Sequence, residues 1–415
     1  MRNIVIAGAS AAGLNAATQL RRSGFGGSIT LLDRELGRPY RRPEVSKGIL
    51  GGQLVRDAIA VPWPEDMDLK LIDGVTIDSA DLTGRTITVL HNETSETLQF
   101  DGLVIATGSV ARPSPFPALR GVHTLRTVAD AERMSMELAE AQRVVIMGGG
   151  FIGLEVAAVC RALGKPVTVI EATGMPLGRV LGDEFSGHLV RMHLERGVEI
   201  ATNLSVTGLQ AGPTGSVASV HLSDGRELAA DLVLIAIGSM PAADWLQGSG
   251  LDVRSGVLCD TTCAVEGTEN VVAAGDAANW VNPLYRMRMR VEHWTNAVEQ
   301  GMYAARRLLG VHDPAGYVSA PYFWSDQYGM RIQSVGTTIG HDQAVVFESS
   351  GDRMLVGYAK DGILRAVAGV HAGASVTRMK RLVTDGVDIE TARTKAGEFA
   401  ARRSPTATGS LGIPA

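Results

Sequence analysis

Two glycine clusters, each placed between an apolar run and a helical pattern, are the residues of this sequence best suited to chemistry. The first cluster consists of Gly8, Ala9, Ser10, Ala11, Ala12 and Gly13. The second, which matches G-x-G-x-x-G in full, consists of Gly148, Gly149, Gly150, Phe151, Ile152 and Gly153. Such a turn lets the backbone approach a pyrophosphate, and the N-terminus of the helix that follows favours its negative charge. The sequence therefore predicts two sites for adenine dinucleotides.

Each glycine cluster is followed by an acidic residue at the end of a second apolar run. Asp33 ends SITLLD, 20 residues after Gly13 (33 minus 13), and Glu171 ends VTVIE. A carboxylate at this point of a βαβ unit accepts hydrogen bonds from the hydroxyls of an adenosine ribose. Glu171 would also repel a 2′-phosphate, and residues 172–174 offer no arginine to bind one. The second site is therefore expected to prefer NADH over NADPH.

The first cluster departs from the motif because Ser10 stands where a central glycine is usual. Serine is small and keeps its backbone N–H, so a pyrophosphate could still come close. A structural turn between strand and helix would also explain the glycines, but the acid after the next strand favours a cofactor site. Two dinucleotide sites in one chain are explained most simply by a resident flavin and a nicotinamide that comes and goes.

The elements that must position these clusters repeat at a distance of about 140 residues. The run RVVIMGGGFIGLEVAAVCRALGKPVTVIE predicts a strand at 143–147, a turn at 148–150, a helix at 151–163 and a strand at 166–171. The first cluster lies in the same order of strand, turn, helix and strand. Two further apolar runs end in Gly108 and Gly238, where the chain is expected to leave each nucleotide-binding unit, so Gly238 is assigned to the NADH site.

From about Val318 the pattern changes to alternating short strands, followed by a helix near 375–385. The predicted fold class is α/β, with two Rossmann-like (FAD/NAD(P)-binding) domains and a small α+β C-terminal domain. The predicted boundaries are 1–112 with 236–316 for the discontinuous FAD-binding domain, 113–235 for the NADH-binding domain, 317–400 for the C-terminal domain and 401–415 for a disordered tail.

Composition excludes several classes of protein. The 415 residues carry a net charge of −5, which argues against binding nucleic acid through bulk electrostatics. Three cysteines (Cys160, Cys259 and Cys263) make no disulfide framework, and we expect structural thiols and no metal site. No run approaches the length of a membrane span, and the first residues lack the apolar segment of a signal peptide. A cytoplasmic location is therefore expected.

Several longer motifs carry a resemblance to a known family. They are PYRRPEVSKGIL, GGGFIGLE, AAGDAANW, VEHWTNAVEQG and PYFWSDQYGMRIQSVG. Together they resemble the oxygenase-coupled ferredoxin reductases, NADH-dependent FAD flavoproteins of the putidaredoxin reductase and rubredoxin reductase type with a glutathione-reductase-like fold. The likeness extends to about residue 385. Ser10, and Glu44 where relatives often carry a second proline, depart from the family pattern.

The resemblance implies that Lys47 lies beside flavin N5 and pairs with Glu155. A lysine there would stabilise negative charge on the reduced flavin, and a carboxylate would orient the lysine. Only six of the 39 basic residues are lysines, which makes Lys47 informative, although a surface lysine and an exposed glutamate are the plainer alternatives. Arg42 and Pro43 are expected to shape this loop against the flavin.

Further FAD contacts are expected from the other motifs. The resemblance implies that Asp276 bonds the ribityl chain. A helix beginning near Glu292 should direct its N-terminus at the flavin, with His293 and Trp294 as contacts. Hydride transfer to a flavin needs no general base. His293 is therefore expected to position the flavin and not to act as a base. The remaining predicted contacts are Trp324, which could instead be a core tryptophan, and Gly108 with Arg112 over the pyrophosphate.

The implied activity is transfer of electrons from NADH through FAD, one at a time, to a [2Fe–2S] ferredoxin or a rubredoxin that feeds a cytochrome P450 or an oxygenase. Such acceptors are generally acidic, so Arg286, Arg288 and Arg331 are candidates for a docking surface, although charge runs are usually solvated. The chain is expected to be a monomer or a weak dimer.

Three alternative functions depend on other features of the sequence. A disulfide or peroxide reductase needs a reactive cysteine near the flavin in the first 50 residues, and none precedes Cys160. A reductase of a small organic acceptor, such as a nitro compound or a quinone, stays open. A redox-controlled interaction protein, like the apoptosis-inducing factor branch, would be expected to carry targeting segments and a basic surface, which this sequence lacks.

Overall fold

The computed structural model describes residues 1–91 and 94–401, so the tail predicted to be disordered lies, apart from Ala401, outside the described residues. No helix in this described part combines the length and the apolar character needed to cross a membrane. Its α-helices are Ala11–Arg22, Val128–Glu140, Phe151–Ala162, Gly178–Leu181, Asp183–Glu195, Trp294–Leu308, Gly373–Asp385 and Ile389–Ala401.

The first glycine cluster belongs to a parallel sheet of five strands. Across the sheet the strands are Val271–Ala273, Gly102–Ile105, Asn3–Ala7, Ser28–Leu32 and Lys70–Ile72. A strand from residue 271 onward therefore completes a sheet that begins at residue 3, the arrangement expected of a discontinuous domain. The boundaries at 112, 236 and 316 stay predictions.

Helix Ala11–Arg22 packs against helix Trp294–Leu308 through small residues. A Cβ atom on Gly301 would lie 2.3 Å from the carbonyl oxygen of Ala12, so a glycine is required at this approach. Ala16, Ala17, Ala304 and Ala305 are fully buried in the same core. The packing fixes the start of the second helix close to the first glycine turn.

The second glycine cluster belongs to a second parallel sheet of five strands. Its order is Glu199–Thr202, Val167–Glu171, Val144–Met147, Leu232–Ile235 and Val122–His123. Strand Val144–Met147 and helix Phe151–Ala162 agree within one residue with the predicted 143–147 and 151–163. The duplication inferred from the glycine spacing is thus a duplication of structure.

Smaller sheets accompany the two parallel sheets, and their strands pair antiparallel except for Val257–Cys259 with Ala278–Asn282, which pair in parallel. A two-stranded sheet pairs Ser109–Ala111 with Ser239–Pro241, directly after Gly108 and Gly238, where the chain was expected to leave each unit. The other small sheets are Thr76–Asp81, Thr86–His91 and Thr94–Gln99; Val206–Ala211, Val217–Leu222 and Glu227–Ala229; and Val257–Cys259, Ala278–Asn282 and Met287–Met289. These three-stranded sheets were not predicted from the sequence.

The C-terminal part of the described chain is one antiparallel sheet with two helices. Its strand order is Tyr322–Gln327, Met330–Gly336, Ile363–Val370, Arg353–Lys360 and Gln343–Ser350. Helix Gly373–Asp385 matches the predicted 375–385, but helix Ile389–Ala401 was not predicted. It buries only Ile389, Ala392 and Ala396, and small residues at this spacing give a weak apolar pattern.

Candidate functional site

A cavity of about 530 Å³ opens at the carboxyl end of the first parallel sheet. The residue immediately after each of four strands lines it: Gly8, Asp33, Ala106 and Ala274. This is the position at which open α/β sheets bind ligands. The predicted site residues that line the cavity are Gly8, Ser10, Ala11, Ala12, Asp33, Arg42, Lys47, Gly108, Phe151, Ile152, Glu155, Asp276, Glu292, His293, Trp294 and Trp324.

Backbone geometry explains which positions of the first cluster need glycine. Gly8 has φ +102°, and a Cβ atom there would lie 2.2 Å from the carbonyl oxygen of Ala106. A Cβ atom on Gly13 would lie 1.8 Å from the oxygen of Gly8, so Gly13 serves the packing of helix on strand. Ser10, in contrast, has φ −76°, which any residue adopts. The departure at Ser10 therefore costs the turn nothing.

Asp33 is held at the cavity wall by the first glycine turn. Its two carboxylate oxygens accept hydrogen bonds from the backbone N–H groups of Ala9 (3.0 Å) and Glu35 (2.9 Å). Burial raises the pKa of Asp33 above its ordinary value, and these hydrogen bonds oppose the rise. Each oxygen keeps a further lone pair, so the carboxylate can accept a ligand hydroxyl.

The second cluster reproduces this geometry. Gly148 has φ +108°, and Glu171 accepts a hydrogen bond from the backbone N–H of Gly149 (2.8 Å) and from Thr173 through its N–H (2.8 Å) and hydroxyl (2.7 Å). Gly238 also has a positive φ, +103°. The second acid therefore bonds its glycine turn as Asp33 bonds the first.

Gly153→Ala should lower the free energy of unfolding by about 1–3 kcal/mol, because a Cβ atom there would lie 2.1 Å from the oxygen of Gly148. Gly150→Ala is the matched control, since Gly150 has φ −77° and a Cβ atom would meet open space. Urea unfolding of both variants checks this. Equal losses of stability in the two variants would contradict the steric explanation.

Lys47 and Glu155 form an ion pair at the cavity wall, with 2.8 Å between Nζ and Oε1. Lys47 also donates to the carbonyl oxygen of Pro43 (2.9 Å), and the Glu155 side chain is 6% exposed. Two hydroxyls, which the sequence analysis missed, donate to this carboxylate: Ser46 (2.5 Å) and Ser325 (2.6 Å). A buried carboxylate needs such donors, and Lys47, Ser46 and Ser325 provide them for Glu155.

Asp276 is held by Arg126, which the sequence analysis did not predict. The guanidinium of Arg126 lies 2.7 Å from Oδ2 of Asp276 and also donates to the carbonyl oxygen of Ser109 (3.0 Å). The hydroxyl of Ser109 donates to the same carboxylate oxygen (2.9 Å). Arg126 directly precedes Thr127, which caps helix Val128–Glu140 in a capping box with Asp130. That local signal could have drawn attention to it.

The helix expected near Glu292 begins at Trp294 instead, with His293 in extended conformation at its N-cap. Glu292 is tied to Arg290 and Ser239 and stays outside the helix. His293 is half-buried and packs against the ring of Phe323 (5.0 Å between centroids), and desolvation lowers its pKa to about 4. The imidazole is therefore neutral near neutral pH, as suits a contact residue.

Other predicted residues lie away from the cavity. Arg112 does not line it, whereas Arg126 does. Among the docking candidates, Arg288 is paired with Glu266 (2.6 Å) and Arg331 with Asp326 (2.7 Å). Arg286 is exposed in a turn with φ +51°. The docking surface stays a prediction, with two of its three arginines already paired.

The three cysteines are buried as free thiols. Burial raises the pKa of Cys160 and of Cys263 to about 12 and raises that of Cys259 well above its usual value. Thiols of this kind are poor nucleophiles. None of them lines the cavity, so this geometry gives no support to disulfide chemistry there.

Comparisons with known proteins agree with this architecture. Residues 2–301 match the pyridine nucleotide-disulphide oxidoreductase family, and residues 322–403 match the reductase C-terminal family. The chain is 36% identical over 349 residues to rhodocoxin reductase of Rhodococcus erythropolis, covering 83% of this chain and 80% of that protein. It is 34% identical over 397 residues to a ferredoxin–NAD(P)(+) reductase of a Sphingomonas species, covering 94% of each.

Solved structures give the same result. Putidaredoxin reductase, in its covalent complex with putidaredoxin, has a TM-score of 0.89 at 29% identity and covers 97% of this chain and 99% of its own. The ferredoxin reductase for the CYP199A2 system of Rhodopseudomonas palustris has a TM-score of 0.87 at 30% identity, with 95% and 97% covered. The chain therefore belongs to the pyridine nucleotide-disulphide oxidoreductase family, in the branch that contains the ferredoxin and rubredoxin reductases.

Proposed function

We propose that this chain is an NADH-dependent FAD flavoprotein that delivers electrons singly to a [2Fe–2S] ferredoxin or a rubredoxin of an oxygenase system. One observation carries the proposal. A single cavity brings the first glycine turn and Asp33 together with the ion pair of Lys47 and Glu155. The start of the second nucleotide-binding helix, at Phe151 and Ile152, lies in the same wall. Two cofactors held by the two units would therefore meet there.

The lining of the cavity fits FAD. Its volume lies in the range of sites for small molecules and cofactors. Two buried polar atoms in its wall, Oγ1 of Thr107 and Nδ1 of His293, have no hydrogen-bond partner within the described residues. Buried polar atoms normally have a hydrogen-bond partner, and a bound FAD would provide one for each of these two atoms. Gly8 and the helix from Ala11 supply the cradle for a pyrophosphate.

The chain would hold and tune the cofactor with separate groups. Asp33 would accept the adenosine ribose hydroxyls, and Asp276, braced by Arg126, would accept a hydroxyl of the ribityl chain. Lys47 would place a positive charge beside the ring system. The chemistry that bound FAD would supply is the conversion of the electron pair of a hydride from NADH into single electrons for an iron–sulfur centre.

Glu171 is proposed to select NADH at the second glycine turn. Its carboxylate is held by hydrogen bonds from Gly149 and Thr173, and from this position it would accept the ribose hydroxyls of NADH. Some relatives are named as NAD(P)(+) reductases and others as rubredoxin-NAD(+) reductases. The preference for NADH rests on Glu171 and on the lack of an arginine at residues 172–174.

The electron acceptor can be identified by its effect on turnover. We expect NADH oxidation to reduce cytochrome c quickly only when a [2Fe–2S] ferredoxin or a rubredoxin is present. Quinones and nitro compounds, tested without any iron–sulfur protein, represent the alternative of a small organic acceptor. Fast turnover with these compounds and none with any ferredoxin would contradict the proposal. A long-lived complex of NADH with the flavin and no turnover would favour a redox-controlled interaction protein. A cytoplasmic location is also proposed, on the sequence alone.

A further inference from the structure

A chain of buried hydrogen bonds leads from Glu155 into the C-terminal sheet. Ser325, which is 1% exposed, donates to Oε1 of Glu155, the same oxygen that Lys47 contacts. The amide nitrogen of Gln327 donates to Oγ of Ser325 (3.1 Å). Ser325 and Gln327 are two residues apart on strand Tyr322–Gln327 and therefore lie on the same face.

The chain continues into the nucleotide-binding unit that carries Glu155. The amide oxygen of Gln327 lies 2.7 Å from Nε2 of His193, and Nδ1 of His193 lies 2.9 Å from the hydroxyl of Tyr328. His193 is fully buried, and burial lowers its pKa to about 4, so the ring is neutral. A neutral ring has one donor and one acceptor nitrogen.

The direction of donation along this chain follows from Glu155. The carboxylate paired with Lys47 can only accept, so the single hydroxyl proton of Ser325 goes to Glu155, and the amide nitrogen of Gln327 donates to the oxygen of Ser325. The amide oxygen of Gln327 then accepts from Nε2 of His193, and Nδ1 of the neutral ring accepts from the hydroxyl of Tyr328. Every group between Tyr328 and Glu155 is thereby oriented.

We propose that Ser325 is a positioning residue for the ion pair of Lys47 and Glu155, through which the C-terminal sheet tunes the reduction of the flavin. This inference rests on the proposed function. Ser46 fixes one carboxylate oxygen of Glu155 and Ser325 fixes the other, so the carboxylate cannot rotate away from Lys47. Without Ser325, the carboxylate of Glu155 would be free to move relative to Lys47. The electrostatic field of the ion pair at the cavity would then change.

The test compares Ser325→Ala with Ser325→Thr, which keeps the hydroxyl, and with Ser334→Ala as a matched control. Ser334 is buried (5% exposed) on the neighbouring strand, opposite Phe323, and is not one of the groups bonded to Glu155. The readout is the equilibrium between the bound flavin and a reference redox dye, with flavin retention measured on the same samples. Loss of one hydrogen bond to a charged acceptor should shift this equilibrium constant about tenfold in Ser325→Ala.

Ser325→Thr and Ser334→Ala should keep the equilibrium of the unchanged chain. Ser325→Cys carries a weaker donor, so its equilibrium constant should lie between those of Ser325→Ala and the unchanged chain. This variant replaces Ser325→Ala in the test if the alanine variant does not fold. An unshifted equilibrium in a flavin-loaded Ser325→Ala or Ser325→Cys variant would overturn the inference and leave the proposed function intact. Failure of the unchanged chain to bind a flavin would instead refute the proposed function.

Discussion

Lys47→Met is expected to lower the free energy of unfolding by about 3–5 kcal/mol, because it leaves Glu155 buried without its counter-charge. The side chains of Lys47 and Glu155 are only 15% and 6% exposed, so water can replace little of the lost interaction. The reduction of bound FAD by NADH should also slow by about 100-fold, the usual cost of removing one group that stabilises developing charge.

A double-mutant cycle separates these two effects. Combining Lys47→Met with Glu155→Gln removes both charges, so most of the stability should return while the reduction rate stays low. Lys70→Met, at an exposed position on the edge of the first sheet, is the matched control and should change neither quantity. Urea unfolding and single-turnover reduction by NADH are the measurements. A flavin-loaded Lys47→Met variant that NADH reduces at the normal rate would refute the role given to Lys47.

Asp33→Ala and Glu171→Ala should have different effects although their positions in the two units are equivalent. Asp33→Ala should weaken FAD retention about 100-fold, because it removes a charged acceptor at the end of the first glycine turn. Glu171→Ala should retain FAD and lower kcat/KM for NADH by a similar factor, and its discrimination against NADPH should fall. The assignment of one cofactor to each unit predicts this separation.

Flavin content after gel filtration and kcat/KM for NADH and NADPH measure both effects. Asp224→Ala, in an exposed turn where Asp224 pairs with Arg226, is the control and should alter neither. If Glu171→Ala lost the flavin and Asp33→Ala kept it, the assignment of the two sites would be reversed. If both lost it, the two turns would not act separately.

The sequence predicted the elements whose signals are local. The glycines of the second cluster placed strand Val144–Met147 and helix Phe151–Ala162 within one residue, because a positive φ at Gly148 and a close approach at Gly153 admit no other residue. The pairing of Lys47 with Glu155, implied by resemblance, is present in the structure. The roles of these residues remain to be tested.

Other contacts between residues far apart in the sequence could not be predicted from local patterns. Arg126 contacts Asp276 across 150 residues, and Ser325 contacts Glu155 across 170. The capping box beside Arg126 is a local signal for that residue, but no local pattern identifies such a distant partner. The helix expected near Glu292 begins two residues later, at Trp294, and the carboxylate of Glu292 is bound instead by Arg290 and Ser239. Long-range partners of this kind decide local structure and cannot be inferred from spacing.

The most direct test of the central claim is an anaerobic titration of the purified chain, followed by its yellow flavin absorbance. We predict that the chain retains or rebinds FAD, that NADH bleaches the absorbance, and that a [2Fe–2S] ferredoxin or a rubredoxin then restores it while becoming reduced. A folded chain that cannot be loaded with FAD would contradict the account, as would a loaded chain that NADH does not bleach.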